Sequence, residues 1–349
     1  MKIRLTSLVL CIALASVFSP GVNAPPLWGA DTPSLETLKE EMNIRGPIRR
    51  IIAQNSDALE ALRILKADNL VVGVFSNIDE EAEFWGDLAK LPHIGNWREP
   101  DLETVIALEP DLILTYKTSP QKDWEHKLAA HGIAVLRLDF YRLGKLEEEI
   151  TVLGALLDKQ AEAERFCSWH RQLFEGIRAE VDRAKSKPPV YVENYGDFIA
   201  SGPGTGGDEL CKLAGGRNIA ADSSISFPRV TPEWVVDKNP QVIIKAVSHF
   251  NGYALQNPDP LKKRRDIIAH RPAWEYIDAV KNGKIYTVDN SIWVGPRGIV
   301  GLAYLAKWFH PGILPDLDPE AIHKQFFDRF QGIPYKGVFV SAPMLSPEK

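Results

Sequence analysis

The pattern of apolar positions divides the chain into strands that are buried on both faces and short amphipathic helices. Residues 48–53 begin as a strand and 56–65 follow as a helix. The apolar run Leu70-Val71-Val72-Gly73-Val74-Phe75 has the form of a strand covered on both sides. The same alternation continues with a helix over 101–108, a strand over 111–116, a helix over 124–131 and a strand over 133–138. Strands alternating with short helices imply parallel pairing, with helices on both faces of a sheet.

The texture then changes. Between Leu146 and Lys187 there is no proline, and the only glycines are Gly154 and Gly176. Ile150, Leu153 and Leu157, then Phe166, Trp169, Leu173, Ile177 and Val181, recur at helical spacing. This predicts a short helix followed by a long one over 160–184, stopped by Pro188-Pro189. Strands at 190–192, 241–246 and 284–288 rebuild the earlier rhythm. Helices over Gly298–Phe309 and 319–330 close it, and an irregular tail follows.

A fragment of duplication is visible. The segment from Pro100 and the segment from Val230 align at a constant offset of 130 residues. Glu103 meets Glu233, Val105 meets Val235, Pro110 meets Pro240 and Ile113 meets Ile243. In each copy a short helix is halted at proline, which cannot donate the helical hydrogen bond, and a buried strand follows. The predicted fold class is therefore α/β: two doubly wound, Rossmann-like lobes joined by a single long helix, with a ligand cleft between them. The boundaries are a lead segment at 25–47, a first lobe at 48–158, a linker helix at 159–187 and a second lobe with a C-terminal extension at 188–349. Lobes of this kind bind ligands beyond the carboxyl ends of their strands.

Charge and the N-terminus narrow the function classes. The chain has 41 basic and 46 acidic residues, a net charge of −5. The only basic run is Lys262-Lys263-Arg264-Arg265, which reads as a surface loop. Nucleic acid is not an expected partner. Lys2 and Arg4, the uncharged apolar stretch 5–18 and the small-residue site Val22-Asn23-Ala24 read as an export signal over 1–24. Cys11 follows Leu10 where lipid attachment wants a small residue, so the expected product is a free periplasmic protein. Cys167 and Cys211 are expected as buried thiols.

In order and spacing, several segments resemble the periplasmic receptors for cobalamin, haem and ferric siderophores that serve ABC importers. They are 48–62, Gly95-Asn96-Trp97-Arg98-Glu99-Pro100-Asp101-Leu102-Glu103, Glu109-Pro110-Asp111-Leu112-Ile113-Leu114-Thr115-Tyr116, Ala214-Gly215-Gly216-Arg217-Asn218-Ile219-Ala220, 230–244 and 280–286. The resemblance implies a non-enzymatic, monomeric receptor with no resident cofactor. It would take an iron-siderophore-type chelate, or a corrinoid or haem, and hand it to permease subunits in the inner membrane. By the resemblance, Trp97 and Tyr116 present rings to the ligand, Trp293 and Arg297 close on it from the second lobe, and Glu103 and Glu233 dock on the permease. The sequence departs from the cobalamin pattern around 194–198 and 248–253. The tail after Pro311 extends past the family's usual end.

A broad chelate offers apolar edges and a delocalised face. Aromatic rings meet these at low entropic cost, and arginine adds forked charge-assisted bonds. Trp97, Tyr116, Tyr141, Arg142, Tyr195, His249, Phe250, Tyr253, Trp293 and Arg297 all fall in loops after strands or at strand ends. They are the expected ligand-binding set. Trp85, Trp169, Trp234, Trp274 and Trp308 fall in helical segments and are expected in cores.

Other chemistries are weaker. Gly202-Pro203-Gly204-Thr205-Gly206-Gly207 fits a dinucleotide fingerprint, with Asp222 downstream, and would make the chain an exported nucleotide-dependent enzyme. The helix after it is cut short by Gly215-Gly216, so a tight structural turn is the favoured reading. The eight histidines form no close pair on a helical face, so no bare-metal site is expected. Tyr141, Tyr195, His249 or Tyr253 could ligate a haem iron. No catalytic constellation is expected.

Overall fold

Among the described residues, eight short strands form two separate parallel sheets with the same winding. A computed structural model describes residues 34–120, 123–248 and 250–341; the expected signal segment and His249 lie outside them. In the first lobe β1 (Ile51–Ala53), β2 (Val71–Val74), β3 (Leu112–Thr115) and β4 (Ala134–Arg137) lie in the order β2-β1-β3-β4. In the second, β5 (Pro189–Glu193), β6 (Arg217–Asn218), β7 (Val242–Val247) and β8 (Ile285–Asp289) lie in the order β6-β5-β7-β8. The 130-residue offset thus reflects a whole-lobe equivalence, with β3 matching β7 and the Leu102–Ala107 helix matching Pro232–Lys238. β3 and β7 are buried along their whole length, as parallel strands sandwiched by helices must be.

The linker is the Gln160–Val181 helix, 22 residues long, which buries Phe166, Trp169, His170, Ile177 and Val181. Each sheet's outer face has its own apolar core, built on Ile52, Ile113 and Trp124 in one lobe and on Tyr191, Ile243 and Trp274 in the other. The inner faces share one apolar layer through the linker and the C-terminal helices. Trp85, Trp169 and Trp274 are buried and Trp234 and Trp308 half-buried, all in packing positions. Cys167 and Cys211 are free, buried thiols.

Four elements differ from the sequence reading. Lys262-Lys263-Arg264-Arg265 is not a loop but part of the Asp259–Ala269 helix, whose buried face is Leu261, Arg265, Ile268 and Ala269 at helical spacing. Its basic residues had masked that stripe. A helix, Leu35–Glu41, with Ser34 as its cap, occupies the lead segment where no periodicity was evident. The helix expected over 319–330 is α-helical only over Pro319–Phe326 and continues as a π-helical turn, Phe327–Gln331. Between the strands expected at 190–192 and 241–246 lies a further strand, the two-residue β6.

The extension past Pro311 ties the lobes together. Phe326, Phe327, Phe330 and Phe339 are buried in it. Val340 bridges antiparallel to Val288 on the edge of β8, and Asp289 N donates to Phe339 O at 2.8 Å. On the first lobe's side, Arg63 Nη1 donates to Gln331 Oε1 at 3.2 Å, and Phe84 packs edge-on to Phe327 at 6.0 Å.

Candidate functional site

In each sheet the winding reverses on either side of the first strand, so loops leaving the strand ends diverge and open a crevice. The two crevices face each other across one cleft of about 600 Å³. Gln54, Asn55, Ser56 and Asp57 follow β1, Tyr116 and Thr118 follow β3, and Tyr141 follows β4. From the second lobe come Asn194 and Tyr195 after β5, the glycine loop at 204–207, Ser226 and Phe227, and Asn290, Trp293 and Val294 after β8.

The first lobe contributes a chain of edge-to-face rings. Trp97 meets Tyr116 at 5.7 Å and Tyr116 meets Tyr141 at 5.6 Å. Tyr116 is fixed by donating its hydroxyl to Asp57 Oδ2 at 2.8 Å. The Trp97 carbonyl accepts from Ser119 Oγ at 3.1 Å and Gln54 Nε2 at 3.4 Å, leaving the indole 36% exposed. Across the cleft Tyr195 and Phe227 are 38% and 52% exposed, and the Tyr195 hydroxyl donates to Asn290 Oδ1. Trp293 is 2% exposed and forms the floor. Gly207 is required there, because a Cβ would stand 2.7 Å from the Trp293 ring and 2.7 Å from Ser201 Oγ. The glycine loop thus serves close packing at the cleft wall, with Thr205 capping the Gly206–Leu213 helix through Asp208 N.

The lobes touch at the base of the cleft. Gly295, at φ +85°, sets its Cα against the Asp57 carboxylate. Burial pushes the Asp57 carboxyl up to about 6, against the Tyr116 hydrogen bond and the charge of Arg297. Among the described lining residues Asp57 is the only carboxyl, and none is lysine or arginine.

Of the expected ligand set, Trp97, Tyr116, Tyr141, Tyr195 and Trp293 come together here. Arg142 and Arg297 do not line the cleft. Arg142 Nε binds Glu209 Oε2 at 2.6 Å, a bridge between lobes that Gly144 N reinforces at 3.0 Å. Arg297 is 3% exposed, with its Nε 2.8 Å from Glu60 Oε1 and its guanidinium 4.6 Å over the Phe84 ring. Tyr253 is buried under the C-terminal extension, stacked on Phe327 at 5.7 Å with its hydroxyl donating to Pro334 O at 3.1 Å. Phe250 is half-buried outside the lining. Glu103 and Glu233 are both exposed in the first turn of equivalent helices. Asp57, Asn194, Phe227 and Asn290 escaped the sequence reading. The signal for Asp57 was its place in the first turn of a helix that starts just after a buried strand.

Among the described residues, no three His, Cys, Asp or Glu side chains gather closely enough to hold a metal ion. No helix of the described residues is long and apolar enough to cross a membrane.

Comparison with known proteins agrees with this architecture. The vitamin B12-binding protein of Yersinia pestis is 30% identical over 179 residues, 51% of this chain and 61% of that protein. The match thus spans about three fifths of the relative's length. Among solved structures, the TroA-like periplasmic binding protein FepB of Veillonella parvula superposes with a TM-score of 0.72 at 23% identity, over 85% of this chain and 95% of that one. A periplasmic haem-binding protein of Pseudomonas aeruginosa gives 0.63 at 21% identity, over 86% and 100%. At these identities the structural matches speak to the fold alone. The sequence profile of the periplasmic binding protein family matches residues 51–292, well over half of the chain. The chain, with its two like-wound lobes and one connecting helix, belongs to the periplasmic binding protein family.

Proposed function

We propose that this protein is the periplasmic solute-binding component of an ABC importer, and that its ligand is a bulky metal chelate of the corrinoid class with amide arms and little net charge. The observation that carries the reading is the cleft's composition: seven aromatic side chains with amides and hydroxyls between them, and no lysine or arginine among the described lining residues. A ferric catecholate carries several negative charges and haem carries two propionates. Either would need cations in a partly dry site. The cations beside the lining residues are already engaged: Arg142 with Glu209, Lys117 with Glu149 at 2.6 Å, and Arg98 over the Trp97 ring at 4.4 Å. A ring edged with amides matches Gln54, Asn55, Asn194 and Asn290 as donors and acceptors, and its flat faces match the rings. This reading puts the corrinoid ahead of the siderophore that the sequence alone favoured, and the name of the Yersinia relative points the same way.

Glu103 and Glu233 supply the docking step. Two exposed carboxylates at equivalent points of the two lobes would orient the loaded protein on a positively charged permease. The test is tryptophan fluorescence titrated with cyanocobalamin, haemin and a ferric tris-catecholate. Saturable quenching by the corrinoid at the lowest concentration supports the proposal. Tighter binding of the catecholate would overturn the ligand class, and no response to any of the three would overturn the chelate reading altogether.

A further inference from the structure

The second lobe carries a lysine where the first carries a hydroxyl. β7 is buried throughout, yet it contains Lys245, 1% exposed. At the 130-residue offset the first lobe has Thr115, equally buried, whose hydroxyl donates to Ser119 O at 2.7 Å. Withdrawing an ammonium from water costs on the order of several kcal/mol unless its protons are met. A strand needs no such group for packing.

The reason lies in the chain after β5. In the first lobe β1 ends at Ala53 and a helix starts at Ser56. In the second lobe residues 194–205 intervene before the Gly206–Leu213 helix, and the first of them face the cleft. Lys245 Nζ donates to three successive carbonyls of this loop, Asn194 O at 2.5 Å, Tyr195 O at 3.0 Å and Gly196 O at 3.0 Å. It also lies 3.0 Å from Glu193 Oε1. Arg271 grips Glu193 at 2.6 and 2.9 Å and reaches Asp197 at 2.8 Å, closing the far end of the turn. With three carbonyls drawn inward, the Asn194 and Tyr195 side chains are left to the cleft.

We propose that Lys245 is a positioning residue for ligand: it fixes the 194–196 backbone and with it the second lobe's share of the recognition surface. The proposal rests on the cleft being the ligand site. Lys245→Met keeps the bulk of the side chain and removes its donors. In ligand-free protein, amides of 194–198 should then exchange at least about tenfold faster, while β3 and β8 stay protected. Calorimetric titration with cyanocobalamin should show about tenfold weaker binding, from the cost of ordering two freed side chains. Tyr195→Ala should weaken it as well, and the double variant should lose little more than either single one. Unchanged exchange at 194–198, additive losses, or exchange quickened across both sheets would each overturn the positioning role. If the wild-type protein does not bind cyanocobalamin, the corrinoid reading fails, while the exchange result still decides the part played by Lys245. Should the Met variant not fold, Lys245→Gln, which keeps an amide donor, is carried through the same exchange and calorimetric measurements.

Discussion

The pairing of Glu60 with Arg297 joins the lobes beneath the cleft, and it makes a signed, measurable prediction. Both side chains are enclosed, at 4% and 3% exposure. Burial pushes the Glu60 carboxyl from 4.5 up to about 7, against the attraction of Arg297 and Arg63. A carboxyl whose pKa rises on folding holds its proton in the folded protein while the unfolded chain gives it up. Its contribution is full below pH 4.5 and is lost as pH rises through about 7. At about 1.4 kcal/mol per pKa unit, the part lost between pH 5.5 and 8 is about 2 kcal/mol. Asp57, raised to about 6, acts in the same direction. His323 and His310, whose pKa values burial lowers, act in the opposite one, losing stability as pH falls through the unfolded value of 6.5. The histidine terms are common to wild type and Glu60→Gln and cancel in their difference, and the Asp57 term cancels apart from its repulsion of Glu60. Urea denaturation of both proteins at pH 5.5 and pH 8 should therefore show the stability gap shifting by about 2 kcal/mol in favour of the Gln variant at the higher pH. Parallel profiles would refute a buried, proton-holding Glu60.

Further outcomes follow from the geometry. Trp97→Ala and Phe227→Ala should each weaken chelate binding by about tenfold with little change in stability, because both rings are exposed at the cleft mouth. Trp274→Ala, at 0% exposure, should instead cost about 3–5 kcal/mol in denaturant titrations. Glu103→Ala and Glu233→Ala should leave ligand affinity unchanged and reduce uptake by the reconstituted importer at least about tenfold; loss of ligand affinity instead would remove the docking role. Truncation after Leu317 removes four buried phenylalanines, Phe326, Phe327, Phe330 and Phe339. At about 3–5 kcal/mol each, their loss reaches or exceeds the whole stability of an ordinary protein, so no soluble folded protein should result. A cooperative unfolding transition in that truncation would contradict the tying role of the extension.

The fold was legible because its grammar is local. Apolar runs such as Val242-Ile243-Ile244 can only be covered strands, and Pro110 and Pro240 stop their preceding helices at matching places. The long proline-free stretch gave the linker to within a few residues of its end at Val181. The site was half legible. Loops after strands pointed to Trp97, Tyr116, Tyr141, Tyr195 and Trp293. Position alone cannot tell a ligand-facing arginine from one committed to a carboxylate more than sixty residues distant, as Arg142 is to Glu209. Tyr253 was lost to the core by a tail whose packing depends on aromatic contacts across some seventy residues of chain. Phe227 lies in a polar segment with no periodicity, and no pattern sets Lys245 apart within its apolar strand.

Both lobes are proposed to hold one chelate between aromatic walls. Crystals grown with cyanocobalamin and measured at the cobalt absorption edge test it most directly. A single anomalous peak is expected in the cleft, between Trp97 and Tyr195 and above Trp293. A cobalt site elsewhere on the surface, or none at saturating ligand, would contradict it.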